Sequence, residues 1–357
     1  VTGRLTIDLD ALAANYGAFA AAAAPAACAG VVKADAYGLG LEPVSRRLWR
    51  EGCRQFFVAN AAEGVALRAI LPRARIFVFD GVEADTAAVL LAADLVPVLN
   101  DPAQLARWLQ AAPGRPAALH VDTGMNRLGF DPGFFDPEMD GQGSTPPDLG
   151  GLPVLLLLTH LACADDRDDP FTEAQLTRFA AAQARFPGVP VSIGNSAGSL
   201  RGPSLVGDLA RPGIGLYGCN PFSAGTHPLT PVVTLEGRVL QIRSVPAGTP
   251  IGYGGTHRTT APTRLATVGV GYADGLLRAL SNRGAVLFDG QLLPMLGRIS
   301  MDLTVVDATG TALQTGDWVE FFGAGLPLDT VAAAADTVAY EILVRLGPRL
   351  ERVYRSR

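Results

Sequence analysis

The 29 cationic side chains of this 357-residue sequence comprise one lysine, Lys33, and 28 arginines. A chain that gives nearly every cationic role to arginine and keeps lysine at one place points to work a guanidinium cannot do. A desolvated amine can lose its proton and attack a carbonyl, whereas arginine stays protonated. Lys33 lies in VVKADAYG, behind two valines and four residues before Tyr37. The plain alternative is an ion-pairing lysine that drift has not turned into arginine; the neighbours favour the chemical reading.

Other polar residues fall after strand-like runs. Residues 122–127, ending in Arg127, follow a fifth run, His160 ends a sixth, Asn195 and Ser196 end a seventh, and Arg211 opens an eighth. Taken singly, each has an ordinary reading: His160 as a core histidine satisfied by a carbonyl, Arg127 and Arg211 as surface ion pairs, GNSAG as a turn. Taken together they share one predicted rim, which favours an active site. Small residues around Ser196, with Gly213 and Ile214, let backbone N–H groups approach a phosphate. Further along, IGYGGT holds Tyr253, GYADG holds Tyr272, and GRISMDL holds Met301 and Asp302; aromatics beside glycine are more often turn packing than catalysis.

The elements that must position these residues are readable as short apolar runs alternating with helical spacing: GVVKA, FFVAN, IFVFD, LVPVL, ALHVD, LLLLTH, VSIGN and GIGLYG (213–218). Helix-like segments lie at 41–49, 61–70, 84–91, 102–109 and 171–186. Eight such alternations predict an α/β fold, a (β/α)8 TIM-type barrel with its chemistry at the strands' C-terminal ends. After about residue 220 the texture turns to strands and Gly-rich turns with scarcely any helical periodicity. We therefore expect a barrel over 1–228 and a mainly β domain over 229–357. The Gly-, Pro- and Asp-rich stretch 136–151 reads as a surface insertion.

Composition bounds the function classes. Hydrophobic residues make up 48% and charged residues 18%, enough apolar surface for a packed interior. The formal charge of −5 argues against nucleic acid or an anionic membrane as partner, so a small-molecule substrate is expected. Cys28, Cys53, Cys163 and Cys219 have neither disulfide-framework nor zinc spacing, which suits a reducing cytoplasm and no metal site. The alanine run at 18–24 follows acidic residues and is cut by Pro25, so it reads as an amphipathic helix, and no run approaches the length of a membrane span.

Read in order, IDLDALAANY, VVKADAYGLG, DTGMNRLGF, THLACAD, NSAGSL, ARPGIGLYG, GYADG and GRISMD resemble the alanine racemase family of fold-type III enzymes over nearly the full length. The resemblance implies pyridoxal 5′-phosphate bound at Lys33, with Tyr37, Ser196, Gly213, Ile214 and Tyr340 around the phosphate end and Asn195 also among the cofactor-binding residues. It implies Arg211 opposite the pyridine nitrogen, Arg127 and His160 beside the ring, and a cytoplasmic isomerase acting on alanine for cell-wall D-alanine or catabolism. It further implies a homodimer with shared sites. In such a dimer Lys33 serves one face of the substrate, while Tyr253, Tyr272, Met301 and Asp302 come from the other subunit, with His160 and Arg211 assisting Tyr253. Tyr253 and Tyr340 would form an inner gate, with Asp165, Arg278, Arg298 and Val338 further out. One position departs from the family pattern: seven residues before Arg127 many members carry a lysine, often carbamylated, and this chain has His120. Other readings are a racemase of wider scope, a decarboxylase of basic amino acids on the same barrel, or a cofactor-buffering barrel; the last has no β domain.

Overall fold

The computed structural model describes residues 1–135 and 149–356, so the expected 136–151 insertion lies almost wholly outside the described residues. Strand β1 (Gly3–Asp8) leads directly into helix Leu9–Ala23, whose start is fixed by Asp8: its carboxylate accepts from the N–H groups of Asp10 and Ala11, both at 2.9 Å. The alanine run closes this helix, which buries Leu12, Tyr16 and Phe19 against the barrel.

The barrel begins with β2 (Ala27–Cys28) and β3 (Gly30–Val31). It continues through β4 (Gln55–Val58), β5 (Arg75–Val78), β6 (Val96–Leu99), β7 (Ala117–His120), β8 (Val154–Leu158) and β9 (Val191–Ser192), each parallel to its neighbour. Strand β10 (Leu209–Ala210) closes the ring on β2, pairing Leu209 with Ala27, and Val31 N–H extends the closure to Pro212 O at 3.1 Å. On its other flank Arg211 N–H donates to Gly194 O at 2.8 Å. Parallel strands buried on both faces require continuous apolar runs; Phe57, Phe77, Leu119 and Leu157 are almost fully buried, each contributing roughly 1.5–3 kcal/mol of transfer free energy. Asn60 and Asp101, each just beyond a strand, cap the next helix by accepting from Glu63 N–H at 3.0 Å and Gln104 N–H at 2.8 Å.

The eighth strand corrects the sequence reading. GIGLYG is not a strand: Ile214–Tyr217 is a 3-10 turn, so Arg211 follows the eighth strand and does not open it. The N–H groups of Gly213 and Gly215 bond to Ser196 Oγ and not to a ladder, and the buried Tyr217 donates its hydroxyl to Val31 O at 2.9 Å. A short apolar run carries no periodicity that separates strand from turn.

The second part is an eight-stranded sheet around the long strand β11 (Val233–Val245), which pairs antiparallel with Trp318–Phe322 and Thr263–Val268. Strand β1 belongs to this sheet, lying between β11, antiparallel, and Glu351–Arg355, parallel. Two short helices, Leu328–Ala334 and Ala339–Val344, interrupt the β texture expected there. The first ends in three alanines, and both are too short for a helical repeat to stand out in the sequence. The second packs on the barrel, where a Cβ at Gly38 would lie 2.5 Å from Leu343 O, so only glycine permits that approach.

Candidate active site

Lys33 emerges just past β3 into two adjoining cavities at the barrel's C-terminal rim. One, of about 280 Å³, is lined by Lys33, Ala59, Phe79, Asp80, His120, Arg127 and Arg211 among others. The second, of about 250 Å³, shares Lys33, Phe79, Arg127, His160 and Arg211 and adds Tyr37, Asn195, Ser196, Gly213, Ile214 and Tyr340. Residues far apart in sequence thus converge because each follows a different parallel strand.

Burial holds the Lys33 amine below the usual lysine range, helped by the positive charge of Arg127 and opposed by Glu63 and Asp80. Its Nζ lies 5.7 Å from the centroid of the Phe79 ring. Behind it the backbone does something unusual: Ala34, Asp35, Ala36 and Tyr37 all have φ between 53° and 57°. Consecutive left-handed residues without glycine cost roughly 1–2 kcal/mol each, so the surroundings must impose the turn. Glu63 receives Ala34 N–H on one carboxylate oxygen and Ala59 N–H on the other, both at 2.8 Å. Asp35 accepts Leu41 N–H at 2.7 Å. The turn delivers the buried Tyr37 ring against Tyr217, with centroids 4.7 Å apart, and Tyr340 at 6.0 Å.

Opposite Tyr37, Ser196 Oγ accepts from Gly213 N–H (2.9 Å) and Gly215 N–H (3.2 Å), and Asn195 caps the short helix Ser196–Ser199 through Gly198 N–H at 2.9 Å. A Cβ on Gly213 would fall 2.3 Å from Tyr37 Oη. Backbone donors, two hydroxyls and a glycine that lets Tyr37 approach make a compact polar cradle.

Arg211 is buried, and its hydrogen-bond partners among the described residues are neutral: Ser192 Oγ, Thr159 O at 2.5 Å and Ile193 O at 3.4 Å. Burial lowers it to about 9, which leaves it charged near neutral pH. His160 is held down to about 3 and His120 to about 4, in both cases by burial first and Arg211 second. Both imidazoles are therefore neutral, and His160 can contribute only as a neutral hydrogen-bonding group.

The sequence reading missed a second network beneath the site. Asn100 Nδ2 donates to Phe79 O and Val98 O, both at 2.9 Å, while its Oδ1 faces His120 Nδ1 at 2.9 Å. Gln104 receives Asn100 N–H at 3.0 Å and donates to Asp80 O at 2.9 Å. Because carbonyls only accept, neither amide can be flipped. Asn100 Oδ1 must accept, so His120 carries its proton on Nδ1 and presents a bare Nε2. A polar residue ending each of two successive apolar runs was the available signal for Asn100 and His120.

Four expected site residues are not in these cavities. Tyr253, Tyr272 and Met301 are 71%, 42% and 53% exposed on the β part. Asp302 is bound there by Arg349 at 2.6 Å, which also grips Asp274 at 2.9 Å. The loops carrying these residues are knitted together by Ala273 N–H to Met301 O at 2.9 Å.

Family profiles described as alanine racemase, N-terminal domain, and alanine racemase, C-terminal domain, match residues 7–221 and 232–354. The chain belongs to the alanine racemase family. An alanine racemase of Rhodospirillum rubrum is 46% identical over 99% of this chain and 96% of its own length. A relative of Rhizobium johnstonii described as a catabolic alanine racemase is 45% identical over 99% and 95%. The crystal structure of alanine racemase from Bartonella henselae with covalently bound pyridoxal phosphate superposes with a TM-score of 0.93 at 39% identity, covering 99% of this chain and 100% of that one. Alanine racemases of this family are isomerases, and the barrel with its β partner is their fold.

Proposed function

We propose that this protein interconverts L- and D-alanine using pyridoxal 5′-phosphate held at Lys33. The observation that carries the reading is the juxtaposition of a single desolvated lysine with a phosphate-sized cradle across one cavity. The residues suit the cofactor. Ser196 Oγ accepts the N–H groups of Gly213 and Gly215 and keeps its own proton to donate, the Tyr37 hydroxyl stands where a Cβ on Gly213 would lie 2.3 Å away, and Arg211 supplies a charge at the cavity wall. In this reading Lys33 would hold the cofactor covalently, Tyr37, Ser196, Gly213, Ile214 and Tyr340 would hold its phosphate, and Asn195 and Arg211 would complete the cofactor site, Arg211 toward the ring nitrogen. The chemistry the cofactor supplies when bound is delocalisation of the electron pair released at the substrate α-carbon.

The protein's own groups do the rest. Inversion takes a proton from one face and returns one to the other, so two bases on opposite sides are required. Lys33 serves one face; its lowered proton affinity makes it readier than an exposed lysine to give up the proton it takes. Tyr253 serves the other, delivered with Tyr272, Met301 and Asp302 by a second subunit of a homodimer. Their exposure on the β part and their distance from their own chain's cavities support this arrangement. Arg127 receives the substrate carboxylate. Arg211, still charged near neutral pH, would place a cation and no carboxylate at the ring nitrogen, which would disfavour protonation there and so steer the reaction away from transamination. We place the boundary between barrel and β part near residue 228 and the protein in the cytoplasm; among the described residues no helix is long and apolar enough to cross a membrane.

Purified protein incubated with L-alanine in deuterium oxide should exchange the α-proton and yield D-alanine. Borohydride trapping should label Lys33. Binding of the cofactor without exchange would instead favour a buffering barrel, and faster turnover of L-serine or L-lysine a broader racemase. Growth of a deletion strain only with added D-alanine would assign the product to the cell wall; unimpaired growth would assign it to catabolism.

A further inference from the structure

We propose that Glu63 is a positioning residue for this reaction, because its carboxylate fixes the left-handed turn that directs Lys33 into the cavity and Tyr37 toward Gly213. The turn over 34–37 is closed on itself by Ala36 N–H to Val32 O (2.9 Å) and Gly38 N–H to Ala34 O (2.7 Å). Its far end is tethered by Arg352 to Gly38 O (3.1 Å) and by the Tyr354 hydroxyl to Leu39 O (3.0 Å). Its near end, one peptide from the reactive lysine, is reached among the described residues by Glu63, which spans Ala34 N–H and Ala59 N–H at the tip of β4. Glu63 is itself held by its own N–H on Asn60 Oδ1 at 3.0 Å. One rigid carboxylate thus couples two barrel strands and sets the direction in which the lysine leaves the backbone.

The same carboxylate is a charge. Lys33 faces Glu63 from the helix after β4, Asp80 after β5, His120 at the end of β7, Arg127 from the following loop, His160 after β8 and Arg211 after β10. Glu63 and Asp80 are the anions of that set, and removing one of them lets the amine lose its proton at lower pH.

The assignment rests on the racemase reading. Wild-type α-proton exchange tests that reading, and comparison of variants with wild type tests this one. Glu63→Ala and Glu63→Gln holoenzymes are compared by amide hydrogen exchange and by kinetics across pH. Glutamine keeps one acceptor and removes the charge. The expected result is faster exchange confined to 33–41, a fall in kcat of about tenfold or more from misdirection of the lysine, a KM for alanine within about twofold of wild type, and an acidic limb of kcat, which reports the substrate complex where the amine is free, displaced to lower pH. If the alanine variant does not fold, the glutamine variant carries the same readouts. A kcat within about twofold of wild type overturns the proposal, as does loosened exchange throughout the barrel with an unmoved acidic limb.

Discussion

The rim of the barrel and the outer face of the β part are built on opposite principles. At the rim Tyr37, Ser196 and Arg211 are buried, and the polar groups between them are tied to backbone carbonyls and N–H groups. On the β part Tyr253 and Met301 stand open to solvent, although the loops beneath them are stitched by Arg349 and by backbone hydrogen bonds. One region is a finished pocket; the other is a rigid platform presenting side chains that touch little of their own chain. The difference teaches what the proposed shared site demands: the groups assigned to it stand on two parts of one chain, buried on the barrel and exposed on the β part.

The most severe break is expected from Lys33→Ala, which should lower racemisation by at least about 10³-fold and abolish borohydride labelling, measured by chiral assay and peptide mapping. Tyr253→Phe should cost about 10²–10⁴-fold while leaving the melting temperature unchanged, since the hydroxyl is exposed. Mixing the two dead variants and letting subunits exchange sharpens the comparison. Half of a statistical population is then mixed dimers with one intact site each, so about one quarter of wild-type activity should return. No recovery would mean that each chain completes its own site.

A smaller effect, on stability, is expected at the rim. Arg211→Glu would set a carboxylate against Ser192 Oγ and two carbonyls, costing roughly 3 kcal/mol or more, read from urea melts. It should also remove racemisation, and any surviving activity should show a transamination side reaction.

The last effect is absent near neutral pH and appears only in acid. His120 and His160 have folded-state values near 4 and 3, below the ordinary histidine value, so the unfolded chain binds more protons in between. Stability is therefore complete above about pH 6.5 and falls as pH drops toward those values, by up to about 1.4 kcal/mol per pH unit for each histidine. His120→Asn should flatten that slope in denaturant melts taken across pH, and an unchanged slope would show that His120 titrates freely.

Much of the rim was legible because its residues are chemically conspicuous and follow apolar runs. Lys33 stands out by being alone, and Arg127, His160, Ser196 and Arg211 each come at or just after a strand. The turn at 34–37 was not legible, since alanine and tyrosine carry no preference for left-handed backbone and the cause is a glutamate elsewhere. Asn100 and Gln104 were missed for a similar reason: the fold brings Phe79 O to the one and Asp80 O to the other, and the sequence says nothing of which backbone a side chain will meet. Strand β1 lies in the stretch read as barrel, 1–228, yet it belongs to the β part, because its alternation of apolar residues does not name its partner strands. Only its register with β11 and residues 351–355 decides where it goes.

That placement carries a consequence for biosynthesis. Gly3–Asp8 leaves the ribosome long before residues 233–245 and 351–355 that flank it on both sides, while the helix fused to it can already dock on the growing barrel. The nascent chain therefore carries an unsatisfied edge through most of its translation, a template for wrong pairing. Completion of this sheet, which depends on the most distant contacts in the molecule, is the step at which a chaperone would be most useful.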